Sequence, residues 1–166
     1  MTTVQPGTYA IDPARSTVRF DTRHVFGLLP VTGGFPIAAG TITVAAEPGA
    51  STATARITAA GFTTGNPTRD AKVRSSTYLD APRHPEIVFT GTAFEQTATG
   101  GTLRGDLTVK EVTKPVTLAV ESVAVDGADL TTRATTTIDR YDFGITAAPG
   151  MTGRILRLTL DVFATR

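Results

Sequence analysis

The chain has 166 residues, with 16 basic and 15 acidic side chains and a formal net charge of +1. That length suits one domain with a substantial core, and the charge balance leaves no overall electrostatic footprint for nucleic acid or an anionic membrane. There is no cysteine, which excludes a disulfide framework, a thiol nucleophile and a thiolate metal site.

The first residues, MTTVQPGTYA, have neither the basic start nor the apolar run of a secretory signal, so the expectation is a cytoplasmic protein. Tyr9–Asp12 reads as a short strand stopped at Pro13. Ser16 to His24 alternates, with Val18, Phe20, Thr22 and His24 on one face and Arg19, Asp21 and Arg23 on the other. Val25 to Phe35 is apolar, glycine-rich and irregular, and is expected to be a loop lying over the core. Strands follow at Ile37–Ala46, with Ile42 and Val44 inward, and at Thr52–Ala60, with Ala53, Ala55, Ile57 and Ala59 sharing a face.

The period changes after Thr63. Asn66-Pro67 pairs a capping residue with a proline at the first helical position, and Asp70 suits the first turn. A short helix is expected to about Arg74, then one more turn to Ala81 before Pro82. Glu86–Ala93 is a strand with Ile87 and Phe89 inward. Leu103–Val109 and Val116–Glu121 alternate around a break at Glu111–Thr113, the pattern of an antiparallel hairpin. Pro115 offers no N–H to a ladder and belongs near the start of the second strand. Asp129–Asp139, with Leu130, Ala134 and Ile138 inward, and Arg154–Ala164, with Leu156, Leu158, Leu160 and Val162 inward, complete the chain.

Roughly eight strands joined by short turns, with one helical excursion, predict an all-β up-and-down antiparallel barrel; a two-sheet sandwich carries the same local signals. Inward positions such as Ala53, Ala55, Ala59, Gly105, Thr132, Ala134 and Thr136 are small, while Phe20, Phe35, Phe62, Phe89 and Phe143 gather near strand ends. Small walls with aromatic ends fit an apolar cavity, the alternative being closer strands packed over the same residues. The apolar runs are short and alternating, so no segment reads as a membrane span.

Several motifs in one order resemble those of the YceI-like family of polyisoprenoid-binding, lipocalin-like barrels. They are Tyr9-Ala10-Ile11-Asp12-Pro13, Ser16-Thr17-Val18-Arg19-Phe20 with His24, Gly34-Phe35 with Gly40-Thr41-Ile42, and Arg69-Asp70 with Arg74-Ser75. Pro85-Glu86-Ile87-Val88-Phe89, Gly105-Asp106-Leu107-Thr108 with Val112-Thr113-Lys114-Pro115-Val116, and Arg140-Tyr141-Asp142-Phe143-Gly144-Ile145 complete the series. The resemblance implies an extended eight-stranded antiparallel lipocalin-like barrel with a short helical insert, binding a long isoprenoid or similar amphiphilic lipid, and allows a homodimer. The chain departs from the family pattern at Lys72-Val73, where His-Leu is usual, and at Thr77-Tyr78-Leu79, where Asp-Phe-Phe is usual; both bear on the ligand more than on the fold. Glu111 stands at a turn position where Gly or Asp is usual and a positive φ is required.

The combined expectation is a soluble carrier for a polyisoprenoid, isoprenoid quinone or fatty lipid, with no other cofactor, no metal and no nucleic-acid partner. Its candidate ligand contacts are Phe20, His24, Phe35, Ile42, Ile57, Phe62, Tyr78, Leu79, Phe89, Leu107, Ile138 and Phe143. His24 is the polar candidate, either a donor to a ligand head group or a core histidine bonded to the backbone. His84, in a turn, reads as solvated. Arg69, Asp70 and Arg74 either charge the cavity mouth or pair locally on the helix, and Arg140 with Asp142 could clasp the last loop to the barrel. The rival functions are a lipid-modifying enzyme using His24 as acid or base, and a barrel that acts by association without ligand. No Gly-x-Ser-x-Gly motif supports serine hydrolysis. The insert at 66–82 and the 25–35 segment are expected to lie together over one cavity end as a gate.

Overall fold

The computed structural model describes residues 6–24 and 26–166. Val25, at one end of the expected loop, lies outside the described residues. The strands are β1 (Gly7–Ile11), β2 (Thr17–His24), β3 (Leu29–Phe35), β4 (Ile37–Val44), β5 (Thr52–Thr58), β6 (Glu86–Gln96), β7 (Gly101–Val109), β8 (Val112–Asp126), β9 (Asp129–Asp139) and β10 (Ile155–Thr165). One helix, α1 (Pro67–Arg74), interrupts them. Its start is chemically determined: Asn66 accepts the Arg69 backbone N–H at 3.1 Å, with Pro67 in the first turn.

All strand pairings are antiparallel, and the sheet closes on itself. Eight strands, β1 and β4 to β10, form the ring, closed where Ala10 and Ile11 of β1 meet Thr165 and Ala164 of β10. The barrel prediction therefore holds, and the sandwich does not. The other half of β10, Arg157–Asp161, pairs instead with β2, and β2 pairs with β3. At this end two strands rather than one fill the space between β10 and β4, and a wider strand complement makes a wider barrel. Gly34 and Thr63 complete the wall by exchanging backbone hydrogen bonds at 2.9 and 3.0 Å.

The Val25–Phe35 segment is thus not a loop; only residues 26–28 turn, and Leu29–Phe35 is β3. Its period was hidden by glycine and proline. Leu29, Val31, Gly33 and Phe35 do alternate, but at Gly33 the interior side has no room for a side chain. A Cβ there would lie 2.4 Å from the Thr63 carbonyl oxygen and 2.7 Å from the Phe20 ring. Pro30 is tolerated because β3 is the last strand of the sheet order and tied beyond β2 only at Gly34.

The central hairpin is tighter than expected. Only Lys110 and Glu111 lie between β7 and β8, with φ of 51° and 67°, so both occupy the left-handed region of a two-residue primed turn. Pro115 falls in the first part of β8, before its pairing with β9 begins at Ala119, so no second ladder needs its missing N–H.

The ring end opposite β2–β3 is solid. Tyr9, Leu130 and Ala164 are fully buried there, with Ile11 beside them. Leu103 on β7 covers Gly91 so closely that a Cβ on Gly91 would meet its side chain at 2.7 Å. Small residues at this end make room for large neighbours.

Because the close approach at Gly33 lets β3 reach Thr63, Gly33→Ala is expected to destabilise the protein by about 1–3 kcal/mol, outweighing the entropy gained by removing a glycine. The check is a urea midpoint, which should fall. An unchanged midpoint would mean that the wall does not depend on this contact.

Candidate functional site

At the widened end the barrel encloses a cavity of about 150 Å³, a size at which an apolar pocket takes up a molecule as large as benzene. Its wall is built from β2 (Val18, Phe20, Thr22, His24), β10 (Leu156, Leu158) and Ile57, Ile87, Leu107 and Ile138 of the remaining strands. Phe20, Phe35 and Phe62 form an aromatic group on one side. Phe20 stacks on Phe62 with centroids 5.3 Å apart, and Phe35 meets Phe62 edge-on at 5.3 Å.

Ten of the twelve sequence-predicted contacts border this cavity: Phe20, His24, Phe35, Ile57, Phe62, Tyr78, Leu79, Leu107, Ile138 and Phe143. Ile42 and Phe89 do not. Ile42 pairs with Tyr9 toward the solid end, and Phe89 is buried in the core beside Leu107 and Ala55. The small residues that suggested a hollow interior do not line it either. Ala53, Ala55, Ala59, Gly105, Thr132, Ala134 and Thr136 are all absent from the wall. The cavity follows from the extra β2–β3 wall, and its lining is large and apolar.

One side of the cavity is polar, and it is organised by Arg140. This buried guanidinium donates from Nε to the Gly153 carbonyl (2.9 Å), from Nη1 to that of Ile145 (2.7 Å) and from Nη2 to those of Ala147 (2.7 Å) and Thr152 (3.2 Å). The loop between Phe143 and β10 is thereby folded around one cation, which has no ion-pair partner among the described residues. Arg140 is the expected clasp. Asp142 is exposed and outside it; the carboxylate that acts here is Asp139, which accepts Tyr141 N–H and pairs with Arg154.

The clasped loop presents Gly153 to His24. Gly153 N–H donates to His24 Nδ1 at 2.6 Å, so the neutral imidazole carries its proton on Nε2. Burial, then the positive charges of Arg69 and Arg140, push the His24 pKa below its ordinary value. Thr152, the next residue on the same loop, shares a 2.7 Å hydrogen bond with the Tyr78 hydroxyl. The helical insert is thus tied to the opposite wall, with Tyr78 and Leu79 buried against the cavity.

The insert's charges divide their roles. Arg69 borders the cavity and donates Nε to Thr64 Oγ1 at 3.0 Å. Asp70 turns inward on the loop: it accepts Thr64 N–H and the Thr63 and Thr64 hydroxyls. Burial alone would raise its pKa, but those hydrogen bonds and the charge of Arg74 hold it below the usual carboxylate value. Arg74 donates Nη2 to the Phe62 carbonyl, fixing the aromatic group to the insert. His84 is less solvated than expected, lying 4.0 Å from both Asp80 and Glu111. Among the described residues no three His, Asp or Glu side chains converge as metal ligands, and no carboxylate lines the cavity.

Sequence reasoning missed Val31, Ile145, Thr152 and Gly153 as cavity residues. The alternation of Leu29, Val31 and Phe35 could have revealed the first. Ile145 stood in the motif that begins at Arg140, and no periodicity marks Thr152 and Gly153, which Arg140, 12 and 13 residues before them, holds by its hydrogen bonds.

A family model for the YceI-like domain matches residues 9–164. The chain belongs to the YceI-like family. Its relatives include a UPF0312 protein of Ectopseudomonas mendocina, 31% identical over 129 residues that span 74% of this chain and 67% of the relative. Another, from Pseudomonas putida strain GB-1, is 34% identical over 124 residues, 70% of this chain and 64% of that protein. The YceI-like chain therefore spans about two thirds of the length of these relatives. Among solved structures it resembles Burkholderia cenocepacia BcnA (TM-score 0.83, 22% identity, 93% of this chain and 99% of that one). It also resembles a polyisoprenoid binding domain from Saccharophagus degradans implicated in plant cell wall breakdown (TM-score 0.72, 14% identity, 95% and 97% covered). At these identities the likeness establishes the shared barrel.

His24 gives a pH test. Its folded-state pKa is lowered, so near and below pH about 6.5 the unfolded chain binds more protons than the folded one. The contribution of His24 is full above that pH and declines as pH falls through it. Wild type should lose more stability than His24→Gln between neutral and mildly acidic buffer, read from denaturation midpoints at both. Equal losses would show that the Gly153–His24 hydrogen bond does not depend on a neutral imidazole.

Proposed function

We propose that this YceI-like chain is a binding and carrier protein for a long apolar amphiphile, such as a polyisoprenoid, isoprenoid quinone or fatty lipid, taken into the barrel cavity. One observation carries this reading: an apolar cavity bordered on one side by hydrogen-bond donors and by no carboxylate. The His24 Nε2–H is left for a ligand, and of the Arg69 guanidinium only Nε is engaged among the described residues. Such a site suits a head group rich in acceptors, a carbonyl, carboxylate or phosphate, and disfavours a cationic one. Membership of the family and the likeness to a polyisoprenoid binding domain support the same reading.

The cavity volume bears on how the ligand is held. About 150 Å³ takes only part of a long chain. The rest of the tail leaves the cavity, and we take the Tyr78–Thr152 hydrogen bond, which ties the insert to the opposite wall, as the closure that opens for it. Binding is favoured over catalysis because the Nδ1 of the one lining histidine is occupied by Gly153, and no carboxylate stands beside it to act as a proton partner.

Mass spectrometry of organic extracts from the purified protein tests the reading, with uptake of a fluorescent fatty acid as its second arm. A co-purifying amphiphile and saturable uptake are expected, with His24→Ala weakening uptake about two- to tenfold, the loss of one hydrogen bond. Tyr78→Phe should speed exchange with little change in affinity. Absence of both extractable lipid and uptake contradicts a carrier, and conversion of added lipid by wild type but not by His24→Ala reassigns the chain to lipid chemistry.

A further inference from the structure

Among the described residues the exposed large apolar side chains are Phe26, Leu28, Leu29, Met151 and Ile155, with Phe26 and Leu28 each 76% exposed. All five lie within residues 26–29 and 151–155, the β2–β3 turn and the run into β10. Single exposed apolar residues are ordinary; a group gathered at one place marks an interaction site.

The two segments are fastened together. Phe26 N–H donates to the Gly150 carbonyl at 2.5 Å, and the Phe26 ring lies on Gly150, where a Cβ would meet it at 2.7 Å. Met151 and Thr152 N–H both return to the Ala148 carbonyl. Phe26 and Ala148 hold positive φ, 53° and 50°, a conformation that a bulky side chain adopts only against a steric cost. The fold accepts that cost with the Phe26 side chain held out in solvent.

The patch borders the cavity. Leu28 N–H bonds to the His24 carbonyl, Leu29 stands opposite His24 in the ladder, and Met151 precedes the lining residues Thr152 and Gly153. Its charge leans positive. Residues 21–32 and 142–157 contain Arg23, Arg154 and Arg157 against Asp21 and Asp142, with Asp21 opposite Arg157 in the β2–β10 ladder. Arg154 is paired with Asp139, while Arg23 and Arg157 are exposed and without an ion pair among the described residues. The near-neutral total charge conceals this local asymmetry.

Resting on the carrier reading, we propose that this tip is a membrane-docking surface, which inserts Phe26, Leu28, Leu29 and Met151 into the interface of an anionic bilayer while Arg23 and Arg157 meet the lipid phosphates. Apolar side chains entering the acyl boundary with cations held at headgroup level are the two components of interfacial binding. Docking there opens the cavity toward the lipid phase, so a ligand tail passes between bilayer and cavity without crossing water. Charge selects this occupant over a second copy of the chain, which would set these arginines against one another across a two-fold contact.

Vesicle co-sedimentation of the full chain provides the test, with phosphatidylcholine vesicles compared to vesicles that also contain phosphatidylglycerol. Wild type should bind the anionic vesicles more tightly, and salt should weaken the binding. Phe26→Asn combined with Leu28→Ser should reduce partitioning about tenfold or more, Asn being tolerant of the left-handed region. Arg23→Gln should narrow the preference for anionic vesicles. Uptake of the fluorescent fatty acid in solution, away from vesicles, should stay at the wild-type level in the double variant, which shows that the barrel is folded. Wild type that binds neither vesicle overturns docking, as does a double variant that binds as well as wild type, or one that changes only the oligomeric state. Vesicle binding with neither fatty-acid uptake nor a co-purifying lipid leaves docking standing and removes the carrier reading; uptake without vesicle binding does the reverse.

Discussion

The polar side of this barrel depends on one buried cation. Taking a guanidinium out of water costs several kcal/mol unless its donors are all met. Here Arg140 meets that cost with four backbone carbonyls, those of Ile145, Ala147, Thr152 and Gly153. Backbone acceptors neutralise no charge, so the cation still acts on its surroundings: after burial and Arg69, Arg140 adds to the lowering of the His24 pKa. The same four bonds bring Gly153 to His24 and Thr152 to Tyr78. Without Arg140, Ile145–Gly153 has no regular structure to order it, and both contacts with the cavity wall lose their support.

Geometry at the other scale comes from the split partnership of β10. Its last residues close the ring with β1, and its first half pairs with β2. One end of the barrel is therefore narrow and filled by Tyr9, Leu130 and Ala164, while the other is widened and encloses the cavity. The aromatic group of Phe20, Phe35 and Phe62 sits where β2, β3 and the segment after β5 converge, and Arg74 ties the Phe62 carbonyl to the insert. The cavity comes from an asymmetry of strand pairing more than from any special residue type.

How much of this was legible in the sequence depends on whether its cause is local. Alternation over Thr17–His24, Asp129–Asp139 and the central hairpin is a local consequence of a half-buried sheet; the first two were read correctly, and the hairpin in outline, with its turn too wide and its second strand too short. The Asn66-Pro67 start of α1 was legible for the same reason. Strand β3 was not, because Gly33 is demanded by a neighbour 30 residues away, the Thr63 carbonyl, and glycine reads as loop when that neighbour is unknown. The cavity was expected for a reason that proved wrong. The small inward residues do not border the hollow, which is lined mostly by large side chains beside two additional strands. Most of the predicted contacts still border it, because they share the inward faces that surround it. Ile42 and Phe89 share those faces too, at levels of the barrel where neighbours fill the space. Arg140 was recognised as a possible clasp, but its acceptors lie on a loop whose path no periodicity encodes.

The central claim is that an apolar tail enters the widened end and not the solid one, and paramagnetic methyl NMR with a fatty acid carrying a nitroxide near its tail end tests it most directly. The account predicts the strongest broadening at the Val31, Ile57, Ile87, Leu107 and Leu156 methyls on ligand addition, with Ile11 and Leu130 broadened least. Broadening confined to surface methyls such as Leu28 and Met151, or absent throughout at saturating ligand, would contradict it.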